Sequence, residues 1–199
     1  MARSTYHHGD LPGALTQAAL DAVAEHGITG LSIADVARRT GVSSAAPYRH
    51  FADRRALLVA TAATAATELA ADLRAARDHT AAAPDALAAA AAAYLRFLVR
   101  RRVGWDLVFA EELTGAGEPE LSDAGRGVMD ELLPLAVRVT GDPTTALDLL
   151  EQAIAVAHGY GTFQLAGVAP RRLADVDEVA ARVTTAVRTL ARAVVSQPQ

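Results

Sequence analysis

The sequence predicts an all-α protein, and three observations carry that reading. Apolar residues recur three and four positions apart along most of the 199 residues, capping and breaking residues stand between these stretches, and nowhere does a period-two alternation run long enough for a sheet. The hydrophobic fraction of 51% is ample for a buried core. Three helices are expected in an N-terminal helix-turn-helix unit, residues 1–55, followed by a larger helical unit, residues 56–199.

Asp10 is the expected N-cap of the first helix, with Pro12 in its first turn, Leu15, Ala18, Ala19, Ala22 and Val23 on one face, and Gly27 closing it. Ser32 caps the second, which carries Ile33, Val36 and Ala37 and stops at Gly41. The stretch VSSAAPYRHF, from Val42 to Phe51, then poses a problem, because proline inside a helix costs about 3 kcal/mol. With Ser44 as N-cap, Pro47 takes the third helical position, where its missing N–H costs nothing; with Ser43 as cap, one bond is forfeited. The Ser44 register predicts a short third helix ending near His50, with Phe51 in the core.

Asp53 caps a long helix bearing Leu57, Leu58, Ala62, Ala65, Leu69 and Leu73 and reaching toward His79. Another starts at Pro84 and Asp85 and ends in Arg100, Arg101 and Arg102, three cations suited to the negative end of the macrodipole. Gly104 to Leu113 forms a shorter segment, and TGAGEPE, Thr114 to Glu120, reads as a loop. Leu121 to Thr140 is helical, with a kink or break expected at Gly125, Gly127 and Pro134. Asp142 and Pro143 start a helix ending near Gly167, and the last runs from Asp177 to Val195.

Composition narrows the function. There is no cysteine, so disulfides, thiolate zinc sites, iron-sulfur clusters and a thiol nucleophile are excluded. No lysine or asparagine occurs either, so every basic side chain apart from histidine is arginine. The first ten residues carry no secretory pattern, and the longest uncharged apolar run, Ala86 to Leu95, is well short of the ~18 residues a bilayer span needs. A soluble cytoplasmic protein without membrane association is expected. The net charge of −4 is unevenly spread: six arginines face five carboxylates up to Arg55, and thirteen face eighteen beyond it. No nucleophile-elbow, phosphate-loop or zinc-protease motif is present, so no enzyme and no cofactor are expected.

Two short helices around a tight glycine turn make a helix-turn-helix, whose second member can enter a major groove about 12 Å wide. Ser and Ala at its start keep the tip slim, and Tyr48, His50 and Arg54 offer donors to flanking phosphates. The same spacing also occurs in helical proteins that bind no DNA.

The segment LSIADVARRTGVSSAAPYRHFADRRALL, Leu31 to Leu58, resembles the DNA-binding signature of TetR-type transcriptional repressors, and the likeness extends back through the first helix. The YHHGDL start and the AHGYGTF segment around His158 resemble a subgroup with a WHG-type C-terminal domain. The resemblance implies a homodimeric repressor, paired through its last two helices, that binds a palindromic double-stranded operator and is released by a small-molecule effector. It places Ser32, Tyr48, His50 and Arg54 on the phosphate backbone and Ser44, Ala45 and Ala46 at base-facing positions. Ser43 and Arg49 complete the reading tip, and Arg3 in the N-terminal arm is expected to contribute. Pro47 departs from the family pattern, where leucine or phenylalanine is common. His7 and His8 read as a solvated arm and not a metal site, because no third ligand accompanies them.

For the second unit the resemblance implies a ligand cavity. Tyr94, Phe97, Trp105, Phe109, Met129, His158, Tyr160 and Phe163 are its candidate lining, with polar tips at His158 and Tyr160; taken singly, each also reads as ordinary core.

Overall fold

Asp10 accepts a hydrogen bond from the Gly13 amide at 2.9 Å and caps α1 (Leu11–His26). This satisfies one of the donors that a helix start leaves unpaired. The computed structural model describes residues 10–77, 82–103, 107, 113, 119–168 and 175–195. Within them lie seven α-helices and no strand. Gly27 breaks α1, and a 3-10 turn, Ile28–Gly30, leads to α2 (Ile33–Thr40). Ser32 holds the N-cap position of α2 with extended backbone, but its hydroxyl makes no capping bond.

The end of α2 is built by Gly41, whose φ of 71° and ψ of 23° lie in the left-handed region that glycine adopts without steric cost. Its amide donates to the Arg38 carbonyl at 3.2 Å, and the Val42 amide donates to the Ala37 carbonyl at 3.1 Å. These two bonds reverse the chain and direct the next segment away from α2.

That next segment differs from the expected third α-helix beginning at Ser44. The Ser43 carbonyl accepts from the Ala46 amide at 3.0 Å, Ala46 accepts from Arg49 at 3.2 Å, and Pro47 accepts from both His50 and Phe51. Regular structure is confined to a 3-10 turn, Pro47–Arg49. The reason is chemical: the i+4 partner of the Ser43 carbonyl would be Pro47, and proline has no N–H to give. The carbonyl turns to the i+3 amide, which tightens the backbone. Pro47 is itself buried, as is Phe51.

Asp53 accepts from the Ala56 amide at 2.8 Å at the start of α3 (Arg54–Arg77). Leu57, Leu58, Ala62, Ala65, Leu69 and Leu73 are all buried, each leucine contributing about 1.5–3 kcal/mol of transfer free energy. Over Arg54–Ala76 this helix is apolar and long enough to match a membrane span by length and composition. Its apolar face is instead packed against α1, α4 (Ala83–Arg101) and α5 (Pro119–Thr140). α6 (Pro143–Leu165) and α7 (Val176–Val195) close the bundle around α4. Val179, Ala180, Val183, Val187 and Ala191 form the buried seam of α7.

Two further expectations change. Pro119 and Glu120 belong to α5 and not to the preceding loop, whose residues 114–118 lie outside the described set. α5 also runs as one helix through Gly125, Gly127 and Pro134, so the break expected there does not occur. Leu132, Leu135, Ala136 and Val139 bury the stretch around the proline, and this packing holds the helix across a missing backbone bond.

Candidate nucleic-acid interface and cavity

The tip beyond Gly41 presents its side chains to solvent. Ser43, Ser44, Ala45, Arg49 and His50 are exposed, Ala46 is half-buried, and Tyr48 is 57% exposed despite its ring. Pro47 and Phe51 anchor the segment from beneath, so the small and polar residues stand outward on a supported edge. Ser32, also exposed, lies at the start of α2 with a hydroxyl that its own helix does not use.

The cations of this head divide by what holds them. Arg39 donates to Glu25 at 2.6 Å and to Asp35 at 2.6 Å, joining α1 to α2, and Arg38 pairs with Asp35. Hydrogen bonding from Arg39 holds both the Glu25 and the Asp35 carboxyl below the usual carboxylate range, Arg38 adding to the effect on Asp35. Arg39 is correspondingly raised, chiefly by its bond to Glu25. Arg54 donates through Nε to the Leu31 carbonyl at 3.0 Å and through Nη2 to the Ile28 carbonyl. This guanidinium therefore fastens the α1–α2 connection to the first turn of α3. Arg49, by contrast, is exposed and makes no ion pair among the described residues. Arg3 lies outside the described residues.

In the second unit a cavity of about 700 Å³ opens along one face of α6. Leu147, Leu150, Glu151, Ile154, Ala155 and His158 line it from that helix, their spacing that of adjacent turns, with Gly159 beside them and Met129 of α5 opposite. Such a volume suits a small molecule. His158 is held from behind by Tyr94 of α4, whose hydroxyl lies 2.9 Å from Nδ1, with the two rings stacked at 6.3 Å between centroids. Gly161, three residues further along α6, lies close against α4, where a Cβ would press on the Leu98 side chain.

The aromatic candidates do not gather at one place. Met129 and His158 line the cavity, and Tyr94 stands behind His158. Phe97 is fully buried in the core with the Arg100 guanidinium 5.6 Å from its ring centre. Tyr160 is half-buried outside the lining, and Phe163 is 54% exposed on α6. Trp105 and Phe109 lie outside the described residues. The aliphatic residues and Glu151 carry no aromatic signature in the sequence; their three- and four-residue spacing along α6 is the signal that points to them.

Residues 15–61 match the family described as bacterial regulatory proteins, tetR family, and residues 87–187 match the tetracyclin repressor-like C-terminal domain. Among solved structures, a protein with unknown function from Rhodococcus sp. RHA1 is 32% identical, with 98% of this chain and 100% of that chain covered and a TM-score of 0.76. A transcriptional regulator from the same organism is 21% identical over 94% of this chain and 100% of its own, with a TM-score of 0.69. A TetR variant from Acinetobacter baumannii AYE, solved in complex with minocycline, is 22% identical over 91% of this chain and 94% of its own, with a TM-score of 0.61. No curated protein matches the chain.

Proposed function

This chain belongs to the TetR family of bacterial regulatory proteins, as a DNA-binding transcriptional regulator and not an enzyme, and from that premise we propose that it is a cytoplasmic homodimeric repressor released from a palindromic operator by a small-molecule effector. Residues 1–55 form the reading head and residues 56–199 the effector-binding and dimerisation unit. The observation that carries the reading is the outward tip after Gly41, supported by buried Pro47 and Phe51 and presenting Ser43, Ser44, Ala45, Tyr48, Arg49 and His50.

In this reading Tyr48, Arg49, His50 and Ser32 meet phosphates, with Arg3 in the N-terminal arm. Ser44, Ala45 and Ala46 face base edges, where alanine suits a thymine methyl and serine accepts or donates to either base pair. Without asparagine there is no bidentate Asn–adenine pair, so groove shape carries part of the choice. Arg54 serves the interface by holding Leu31 and Ile28.

One short tip touches few phosphates, so a second head is needed. Two heads related by a dyad read half-sites about 34 Å apart, one DNA turn. Pairing through α6 and α7 is supported by exposed Phe163 near the end of α6, beyond the cavity lining, and by exposed Val195 on α7. The cavity along α6 is the effector site in this scheme. Its Met129 shares α5 with Glu131, which is paired to Arg74 on α3, and α3 begins at Arg54 beneath the head. A ligand that favours one setting of α5 thereby biases the separation of the two heads.

Footprinting of the purified protein on DNA from around its own gene tests this. Two protected half-sites about one turn apart support the reading, and a dimeric mass by light scattering supports the pairing. Absence of protection even at low salt would overturn DNA binding by this tip. Deleting the gene should raise expression from the protected promoter; a fall would make the protein an activator.

A further inference from the structure

The polar chemistry of the α6 cavity is sparse and asymmetric. Among its described lining residues only Glu151 and His158 carry polar side chains, and none carries a positive charge. Glu151 is exposed, and the rest of the lining is aliphatic, methionine, alanine or glycine. A neutral apolar body seated beside that exposed carboxylate displaces part of its hydration without return, and an anionic ligand would meet like charge. A ligand cation recovers the loss.

His158 supplies the second constraint. Its Nδ1 is engaged by the Tyr94 hydroxyl, and Tyr94 is only 3% exposed, so the ring is held by the core. Nε2 makes no hydrogen bond among the described residues and is the ring nitrogen left for a ligand. If Tyr94 donates to Nδ1, Nε2 carries the proton and donates in turn; the opposite tautomer makes Nε2 an acceptor. Glu151 and His158 are seven residues apart on one helix, about 10 Å along its axis.

Resting on the reading of this cavity as the effector site, we propose that it takes an elongated apolar molecule bearing a protonated amine, the amine at Glu151 and a hydrogen-bonding group at His158 roughly 10 Å away. The aliphatic lining between, Leu150 and Ile154, covers the connecting chain. The charge selects the end, and the wall selects the length.

Three probes of one chain length and different head charge test this: decylamine, decanol and decanoate, each competing with the neutral dye Nile red on the full-length dimer. Decylamine is expected to bind about two- to fivefold tighter than decanol, the range of a partly exposed ion pair, with decanoate weakest. Glu151→Gln should bring decylamine to the affinity of decanol, and Glu151→Asp should keep a preference for the amine. The proposal is overturned if decanoate binds as well as decylamine, or if the amine preference survives Glu151→Gln. Ile154→Trp, which fills the cavity, separates this from failure of the effector reading. If decanol or decanoate binds best, is lost in Ile154→Trp and lowers operator affinity, the cavity is the effector site with a different ligand class. If no probe binds, or binding ignores Ile154→Trp, both readings fall.

Discussion

Arg74 of α3 sets its guanidinium 2.8 Å from the carboxylate of Glu131 on α5, and the Glu131 side chain is only 9% exposed while that of Arg74 is 57% exposed. The pair joins the helix that carries the head to the helix that supplies Met129 to the cavity. Removing the guanidinium takes this ion pair away from a buried carboxylate. Because the arginine is half in water, Arg74→Gln is expected to cost about 1–3 kcal/mol, less than a fully buried pair. Urea unfolding should show a lower midpoint at unchanged slope, and effector-induced operator release should weaken while binding to operator alone persists. A full effector response in Arg74→Gln would remove this pair from the transmission route.

Arg54 and Arg49 separate positioning from contact. Arg54→Ala deletes the bonds to the Leu31 and Ile28 carbonyls, and a stability loss of about 1–3 kcal/mol is expected with little change in the salt dependence of operator binding. Arg49→Ala, at an exposed position, should leave the melting curve in place and reduce the slope of log affinity against log salt by about 0.9 per head, about 1.8 for the dimer. Gel shifts across a salt series decide, and a reduced slope in Arg54→Ala would show that its guanidinium reaches phosphate as well.

Pro47→Ala restores an N–H opposite the Ser43 carbonyl, which now accepts from Ala46. The expected outcome is one further α-type bond, read by hydrogen exchange as protection of the residue-47 amide. An amide there that exchanges freely would mean that packing, and not the missing proton, imposes the 3-10 turn.

The Glu25–Arg39–Asp35 cluster should make the head acid-sensitive. Both carboxyls are depressed in the folded state by Arg39. Their contribution is therefore present above the unfolded-state value and is lost as pH falls through the folded value, in the region below about pH 4. Thermal melts should fall more steeply there in the parent protein than in Arg39→Ala. Equal steepness would show that the cluster contributes nothing, and high salt should shrink the difference because Glu25 is exposed and Asp35 and Arg39 are partly so.

How much was legible in the sequence follows the range of the forces involved. Asp10, Asp53 and Asp142 cap helices as their positions imply, and Gly41 stops α2, because a side-chain oxygen three residues from an amide and a left-handed glycine are local chemistry. The apolar repeat along α3 and α7 likewise marks the faces that are buried. Only the tertiary structure decided the rest. It put a 3-10 turn at Pro47–Arg49 in place of a helix from Ser44, carried α5 through Pro134, turned Arg54 toward two carbonyls 23 and 26 residues away, and put Glu151 and His158 on one wall with Tyr94 behind. Each of these depends on packing between segments far apart in the chain, which periodicity records as a face without saying what that face will meet.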